Sequence, residues 1–181
     1  FQGEPRLIRE EQEKMLSPFA ARSTQSLGRQ LDEAPCSVRP CFERDVGRII
    51  FSVDFRRMRH KTQVFFNPQN DHICTRMEHV ISVNYIANTI GRVLGLNSDL
   101  IQAIALGHDL GHAPFGHSGE KTLDACLKAH DPDLFFQHEL HGLRVIDHLS
   151  SHHGRQGLNL TFEVRDGIAC HCGEMYSEYV L

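Results

Sequence analysis

The chain contains 181 residues, a length that suits one domain and hardly accommodates two. Hydrophobic residues make up 40% and charged residues 23% of it, which is the ordinary balance of a soluble globular protein. Because 19 Lys and Arg stand against 23 Asp and Glu, the net charge is -4, which excludes an overall basic protein that coats nucleic acid.

Two further features of the composition bear on location and chemistry. No apolar run approaches the roughly 20 residues that span a bilayer, and the polar N-terminus is unlike a signal peptide. We therefore expect a cytoplasmic protein with no membrane contact, whose six cysteines are mostly reduced thiols. Histidine occurs 13 times and tryptophan not at all. This excess of a common metal ligand and proton carrier indicates a functional site.

In chain order, residues 1–3 look like the remnant of a cleavable tag, and residues 4–43 are predicted to form a peripheral segment of helix followed by loop. From residue 44 to residue 64, apolar side chains keep the spacing of a helix. Residues 66–71 are predicted to be a loop because of their Asn and Pro content. The chain stops inside what reads as an ordered segment, so we expect residues 44–181 to be the N-terminal part of a longer helical protein.

The clearest predicted helix covers residues 75–94. Its apolar stripe consists of Val80, Val83, Ile86, Ala87, Ile90, Val93 and Leu94. Gly95 is expected to end it, and Asn97 or Ser98 can cap the next helix, which is predicted to run to Asp109. Further helices are predicted from Ser118 or Gly119 onward, over 138–149 and over 161–168. No stretch alternates with period two, so the predicted fold is all-α.

The densest group of chemically active side chains lies between residues 108 and 120, which hold three His, one Asp and one Glu. A metal site needs imidazoles and carboxylates that converge on one point. His108 and Asp109 are adjacent inside an apolar run, where an unpaired polar pair would be costly to bury. His79 can approach them if its helix packs antiparallel to theirs, whereas His112 shares their face only if the helix continues past Gly111. For each of these histidines taken alone, a packed side chain without a metal is the alternative.

Two shorter clusters stay open between a functional and a structural interpretation. Residues 170–172 read Cys-His-Cys and could clip a metal, but no partner CxxC exists, so small buried thiols on a helix are the preferred interpretation. Four cations lie within six residues, namely Arg56, Arg57, Arg59 and Lys61. They suit phosphate oxygens, and a solvated helix face is the alternative.

Four blocks of the chain together resemble a known family. They are residues 44–50 (RDVGRII), 55–65 (FRRMRHKTQVF), 75–79 (TRMEH) and 108–120 (HDLGHAPFGHSGE). Over roughly residues 21–167, the chain resembles the HD-domain phosphohydrolases, and among them the deoxyguanosinetriphosphate triphosphohydrolase-like proteins. The resemblance implies an HD-domain helical bundle over residues 44–181. It also implies metal-dependent hydrolysis of a deoxynucleoside triphosphate (dGTP-like) to the deoxynucleoside and tripolyphosphate.

The resemblance further implies roles for individual residues. His79, His108 and Asp109 match three of the four ligands of a divalent metal, and their N and O donors suit Mn, Mg, Fe, Ni or Zn. His117 with Glu120 matches a catalytic pair, and His138 resembles the catalytic His of another branch, so His117 is the first and His138 the second choice of general acid.

Substrate contacts are expected from five residues, namely Gln63, Arg56, Lys61, Arg76 and His112. Gln63 matches a position that contacts the deoxyribose, and His112 is expected to contact phosphate. Arg56 and Lys61 belong to the basic cluster, and Arg76 is expected to reach phosphate or an adjacent carboxylate.

The fourth metal ligand of the family, a distal Asp, has no convincing match, because Asp147 and Asp166 stand in a different context. Departures at Glu78, Ala113 and residues 137–141 leave the preferred base open. Three alternatives therefore stand beside the main prediction: an HD hydrolase of another nucleotide or phosphoester, a non-catalytic nucleotide-sensing module, and a plain helical interaction domain. The expected partners are a deoxynucleoside triphosphate and further copies of the chain, since relatives commonly form multimers, and the charge of -4 does not support nucleic acid.

Overall fold

The structure is a computed structural model that describes residues 4–61 and 75–173. The predicted tag remnant at 1–3, the loop at 66–71 and the substrate residue Gln63 lie outside the described residues.

Helices dominate the described ranges, which confirms the all-α prediction. The helices are α1 (Pro5–Gln12), α2 (Cys41–Phe51), α3 (Val53–Arg57), α4 (Arg76–Val93), α5 (Ser98–Gly107), α6 (Gly116–His130), α7 (His138–Arg144) and α8 (Phe162–Ala169). Short 3-10 turns cover Glu13–Met15, Ser23–Gln25 and Met58–His60, and a π-helical turn, Val145–Leu149, continues α7. The strands β1 (Ser151–His152) and β2 (Arg155–Gln156) form a two-residue antiparallel pair.

The two central helices begin and end at residues whose chemistry favours those positions. Thr75 and Glu78 form a reciprocal capping box at the start of α4. Gly95, with a φ of 66°, follows the end of α4, where the Leu96 N–H donates to the Gly91 carbonyl. The Asn97 side chain then accepts from two backbone N–H groups at the start of α5. The predicted boundaries between these helices are thus met closely.

Helix α5 lies at the centre of the bundle, in contact with α2, α4 and α8. The core around it is formed by fully buried side chains, among them Phe42, Ile49, Met58, Val80, Ile146, Leu160 and Ile168. Burying such side chains stabilises the fold by about 1.5–3 kcal/mol each, before the entropy of ordering the chain is counted. Because α5 is enclosed, the residues at its C-terminal end are held in a fixed and largely dry position.

Two predicted features differ in detail from the structure. The helical pattern over 44–64 is divided at Ser52, whose extended backbone ends α2 and whose hydroxyl accepts from the Phe55 N–H to begin α3. In α4, Val80 is fully buried, but Ile86, Ile90 and Val93 are 58%, 55% and 85% exposed. The apolar stripe of α4 is wider than the groove that α5 provides. Within the described residues, only one edge of this stripe is therefore buried.

The N-terminal segment is attached to the bundle through buried polar contacts. Glu13 accepts from Ser23 and from the amide of Asn97, which itself caps α5. The fully buried Asp45 accepts from Arg29 and from both the backbone and the hydroxyl of Thr161. These contacts connect the turn after α1 with the start of α5, and α2 with the start of α8. Buried carboxylates are tolerated only when they are paired in this way.

Candidate active site

The candidate site begins where α5 ends. His108 is the residue that follows the last turn of α5, and Asp109 starts the tight turn that leads through Gly111 to α6. Both residues are buried, at 9% and 3% exposure. The turn is narrow because Gly111 lies against α7: a Cβ at Gly111 would stand 2.1 Å from the backbone nitrogen of Gly142. This close approach brings the 108–120 segment and α7 together.

Asp109 is paired with Arg76, the first residue of α4. Nη1 of Arg76 donates to both carboxylate oxygens, at 2.8 and 2.7 Å, and both side chains are 4% exposed. The Nε of Arg76 is buried without a hydrogen-bond partner among the described residues. Of the two expectations for Arg76, the structure therefore places it on the adjacent carboxylate.

His79 and His108 are neighbours, with ring centroids 5.7 Å apart. Nδ1 of His108 lies 2.8 Å from the carbonyl oxygen of Ala105. A carbonyl oxygen only accepts, so this nitrogen carries the proton and Nε2 keeps its lone pair. Burial lowers the pKa of His108 below its usual value, and the ring is neutral at pH 7. A neutral imidazole held through its other nitrogen is the usual state of a metal ligand.

Glu120 joins the two candidate proton donors. One carboxylate oxygen accepts from Nδ1 of His117 at 3.0 Å, and the other accepts from Nδ1 of His138 at 2.8 Å and from its backbone N–H at 2.9 Å. Burial opposes ionisation of Glu120, but the hydrogen bonds from the two histidines outweigh it and lower its pKa to about 2. His117 is 76% exposed at its side chain and His138 only 9%, so His117 faces solvent and His138 lies beneath it.

His112 lies between these groups. Its ring centroid is 4.7 Å from that of His138 and 5.0 Å from that of His117. Burial, followed by the charge of Arg76, lowers its pKa to about 4, so it is neutral at pH 7. Its Nδ1 donates to the carbonyl of Ala113 at 3.2 Å, which leaves Nε2 as an acceptor. A contact with a phosphate oxygen would therefore require a proton on Nε2.

The predicted cationic residues lie at different depths. Lys61 is close to the site, since its Nζ donates to the backbone carbonyl of His112 at 3.4 Å. Burial and the neighbouring charges of Arg57 and Arg76 lower the pKa of Lys61 below its usual value. Arg56 is exposed on α3, and its side chain makes no hydrogen bond or ion pair within the described ranges.

Within residues 4–61 and 75–173, two groups bring metal-ligand atoms within 4.8 Å of one another. The first consists of His112, His117, Glu120 and His138, and the second of His138, His171 and Cys172. The predicted set of His79, His108 and Asp109 is not among them, and the Asp109 carboxylate is paired with Arg76. Its donors still fit a divalent cation in kind: two imidazoles, one with a free Nε2, and a carboxylate whose oxygens keep further lone pairs.

His171 is the side chain that sequence reasoning left out of the site. It follows α8, and its Nε2 lies 3.2 Å from Nε2 of His138. The Cys-His-Cys run at 170–172 was a signal for it, although the preferred interpretation there was small buried thiols. Cys172 is in fact exposed, and its Sγ lies 3.6 Å from Nε2 of His138.

The two aspartates considered for a fourth ligand have other partners. Asp147 forms an ion pair with Arg165, with the closest approach at 2.7 Å. Asp166 lies on α8, where one of its oxygens is 3.9 Å from Sγ of Cys170.

None of the helices in the described ranges is long and apolar enough to cross a membrane.

Comparisons with known proteins find similarity over most of the chain. The HD domain family model matches residues 76–178, which include His79, the His108–Asp109 pair and the Glu120 cluster. A deoxyguanosinetriphosphate triphosphohydrolase-like protein of Caldanaerobacter subterraneus subsp. tengcongensis is 52% identical over 167 residues, which are 92% of this chain and 47% of that relative. A protein of the same name from Thiobacillus denitrificans is 50% identical over 88% of this chain and 42% of its own length.

The chain thus spans less than half the length of these curated relatives. The match to the family model covers more than half of the chain and carries the residues that form the site. The chain therefore belongs to the HD-domain family, in which it is similar to the deoxyguanosinetriphosphate triphosphohydrolase-like proteins.

Proposed function

We propose that the chain carries the catalytic site of a metal-dependent hydrolase that converts a deoxynucleoside triphosphate of the dGTP type to the deoxynucleoside and tripolyphosphate. The names of its relatives point to this substrate class. The observation that carries the proposal is the Glu120 carboxylate, which bridges two histidines next to the buried His108–Asp109 pair. Such a substrate belongs in the cytoplasm, and we propose that the protein works there, in a homo-oligomer.

The reaction needs a nucleophile at the α-phosphorus and a proton at the leaving oxygen. Water adds its oxygen to the α-phosphorus, the bond from phosphorus to the 5′ oxygen breaks, and a proton must reach that oxygen as the deoxynucleoside leaves. His117 is the preferred donor because its Nε2 side is exposed while Nδ1 is held by Glu120. The ionised Glu120 stabilises the imidazolium that donates the proton. His138, on the other oxygen of Glu120, is the second choice.

We assign a divalent cation (Mn, Mg, Fe, Ni or Zn) to His79, His108 and Asp109. When bound there, it would supply Lewis-acid polarisation of the α-phosphate. Arg76 and Lys61 place positive charge at the same end of α5, where a triphosphate must be neutralised. Gln63, Arg56 and His112 complete the proposed substrate contacts.

A turnover assay tests the proposal. With Mn²⁺ and dGTP, the chain should release tripolyphosphate and deoxyguanosine in equal amounts. The variant His117→Gln should lower kcat by about 10²–10⁴-fold, the usual contribution of a positioned acid. His130→Gln is the matched control, since His130 is exposed at the far end of the same helix, and it should keep full activity.

The alternatives give different results in the same experiment. Hydrolysis of another nucleotide or phosphoester with no action on any deoxynucleoside triphosphate would change the substrate class. Binding of dGTP without product at full metal loading would identify a sensing module. If replacing His108 and Asp109 by Ala leaves the metal content unchanged, the domain is neither a hydrolase nor a sensing module. A helical interaction domain is then the alternative that fits.

A further inference from the structure

Three side chains from two segments of the chain meet beside Glu120 and its histidines. His138 begins α7, whereas His171 and Cys172 follow α8. Nε2 of His138 lies 3.2 Å from Nε2 of His171 and 3.6 Å from Sγ of Cys172. All three ligand atoms lie within 4.8 Å of one another.

The hydrogen bonds at Nδ1 of the two histidines determine whether their Nε2 atoms carry a proton or a lone pair. Nδ1 of His171 lies 2.7 Å from the carbonyl oxygen of Ile168, and Nδ1 of His138 lies 2.8 Å from a Glu120 oxygen. Carbonyl and carboxylate oxygens accept, so both Nδ1 atoms carry protons. In the neutral rings, both Nε2 atoms then present lone pairs to each other. Such a contact is repulsive unless a proton or a cation lies between them.

The distances fit a cation with tetrahedral ligands. In a zinc site with Zn–N of about 2.0–2.1 Å and Zn–S of about 2.3 Å, two nitrogens lie about 3.3 Å apart, and a nitrogen and a sulfur about 3.6 Å apart. The observed separations are 3.2 and 3.6 Å. We propose that His138, His171 and Cys172 form a binding site for a thiophilic divalent cation of the zinc type. This site adjoins the cation assigned to His79, His108 and Asp109, since the ring centroids of His171 and His108 are 5.2 Å apart, and it differs from that cation in having a thiolate ligand.

The chemistry of the ligands sets the preference of this site. A thiolate with two imidazoles favours zinc or cobalt, whereas a carboxylate with imidazoles also accepts magnesium or manganese. Binding requires the thiolate, so the S–H bond of Cys172 breaks as the S–metal bond forms and the proton leaves to solvent. Cys172 is exposed, which gives the ion a path from solvent and leaves a fourth position for water.

Occupation of this site has a consequence for His138. Its Nε2 lone pair would be bound to the cation, so His138 could not carry a proton on that nitrogen. This consequence, though not the binding itself, rests on the proposed function. Zinc bound here would therefore lower turnover where His138, the second choice of proton donor, is the one used, whereas turnover through His117 would continue.

Cobalt titration of the full 181-residue chain under reducing conditions tests the binding. Cobalt with a thiolate ligand gives a charge-transfer absorption band that nitrogen and oxygen ligands alone do not give. We expect the band to saturate at about one ion per chain, and Cys172→Ser to lose it. Cys126→Ser is the matched control, since Cys126 is an exposed thiol on α6, and it should keep the band. His171→Gln should weaken cobalt binding by at least about tenfold, with circular dichroism to verify the fold.

Several outcomes would overturn the proposal: no thiolate band in the wild-type chain, a band that persists in Cys172→Ser, or equal loss in Cys126→Ser. Absence of any cobalt uptake would mean that the two histidines share a proton instead. If turnover runs through His138, zinc inhibition of tripolyphosphate release should require at least about tenfold more zinc in Cys172→Ser than in wild type. If the chain releases no tripolyphosphate at all, the optical result still decides the cation site, so failure of the proposed function is distinguished from failure of this one.

Discussion

Glu120 is the residue on which both candidate proton donors depend. Its pKa of about 2 keeps it ionised at neutral pH, so it accepts from Nδ1 of His117 and of His138 without competing for their protons. We expect Glu120→Gln to lower kcat for tripolyphosphate release by about 10²–10⁴-fold, because a neutral amide does not stabilise an imidazolium. Steady-state kinetics at saturating dGTP measures the effect.

Asp124→Asn provides the comparison for this change. Asp124 lies one turn further along α6 and pairs with Lys128 at the surface, so the same loss of charge there should leave kcat unchanged. Wild-type kcat in Glu120→Gln would show that neither histidine needs the carboxylate. Equal losses in both variants would point to the stability of α6 instead.

The Arg76–Asp109 pair predicts a coupling energy in the unfolding equilibrium. Both groups are buried, and removing one leaves the other charge without a partner. Arg76→Gln should therefore lower the free energy of unfolding by about 3–5 kcal/mol. The double variant with Asp109→Asn should cost less than the sum of the two single variants, because no uncompensated charge remains. Urea unfolding of the four proteins without added metal measures this, and strictly additive values would contradict it.

At the residue scale, sequence reasoning identified side chains better than their partners. The run from 108 to 120 was singled out by its density of His and carboxylate, and the structure does gather His112, His117 and Glu120. The sequence pattern did not reveal that Asp109 would face Arg76. The contribution of His171 depends on a contact between residues 33 positions apart, and no local pattern encodes such a contact.

Among the elements, the contact between α7 and the turn after α5 is the tightest constraint on the site. A methyl group at Gly111 would lie 2.1 Å from the nitrogen of Gly142 and 2.4 Å from the carbonyl oxygen of His138, both of them backbone atoms. Gly111→Ala must therefore push α7 away and shift His138 from Glu120. We expect a loss of several kcal/mol in the free energy of unfolding, or a folded protein with strongly reduced kcat, measured by thermal unfolding and turnover.

Gly142→Ala tests the same contact from its other side. There, a Cβ would meet the nearest atom, on Ile168, at 3.4 Å, which is ordinary contact. This variant should stay close to wild type and can even gain from the higher helix propensity of Ala. If both glycine variants behave alike, the close approach of the two backbones is not what holds the site.

Helix boundaries were predictable where capping chemistry is strong, and less so where packing decides. Asn97 and Gly95 stand where the pattern required them. Helix α5 ends at Gly107 rather than at Asp109, because the next residues turn to bring the backbone against α7. The face of α4 was overestimated for a similar reason: periodicity indicates which side chains share a stripe, but not how wide a groove the neighbouring helix provides.

Over the whole molecule, polar contacts join the N-terminal segment to the bundle. Glu33 accepts from Arg48, from Arg44 at 3.0 Å and from the amide of Asn159 at 2.6 Å. Composition predicted this segment to be peripheral, and its helix is indeed on the outside, with no buried residue in α1. Its loop nevertheless carries a carboxylate that connects α2 with the segment before α8, a connection that sequence periodicity does not show.

Glu33 therefore predicts how the stability of the molecule depends on pH. Burial opposes its ionisation, but the hydrogen bonds from Arg48 and Asn159 lower its pKa to about 2, below its usual value of 4.5. The unfolded chain then binds a proton more readily than the folded one, so the stabilisation is full above about pH 4.5 and is lost as the pH falls toward about 2. Because the Glu33 carboxylate is partly exposed to solvent, screening limits its stabilisation of the fold to about 1 kcal/mol.

Urea unfolding at several pH values tests this dependence. Wild type should be more stable than Glu33→Gln at neutral pH, and the difference in the free energy of unfolding should disappear near pH 2. The control Glu11→Gln removes an exposed carboxylate paired with Lys14 and should show no such trend. A constant difference between wild type and Glu33→Gln across this range would show that the carboxylate acts by shape and not by charge.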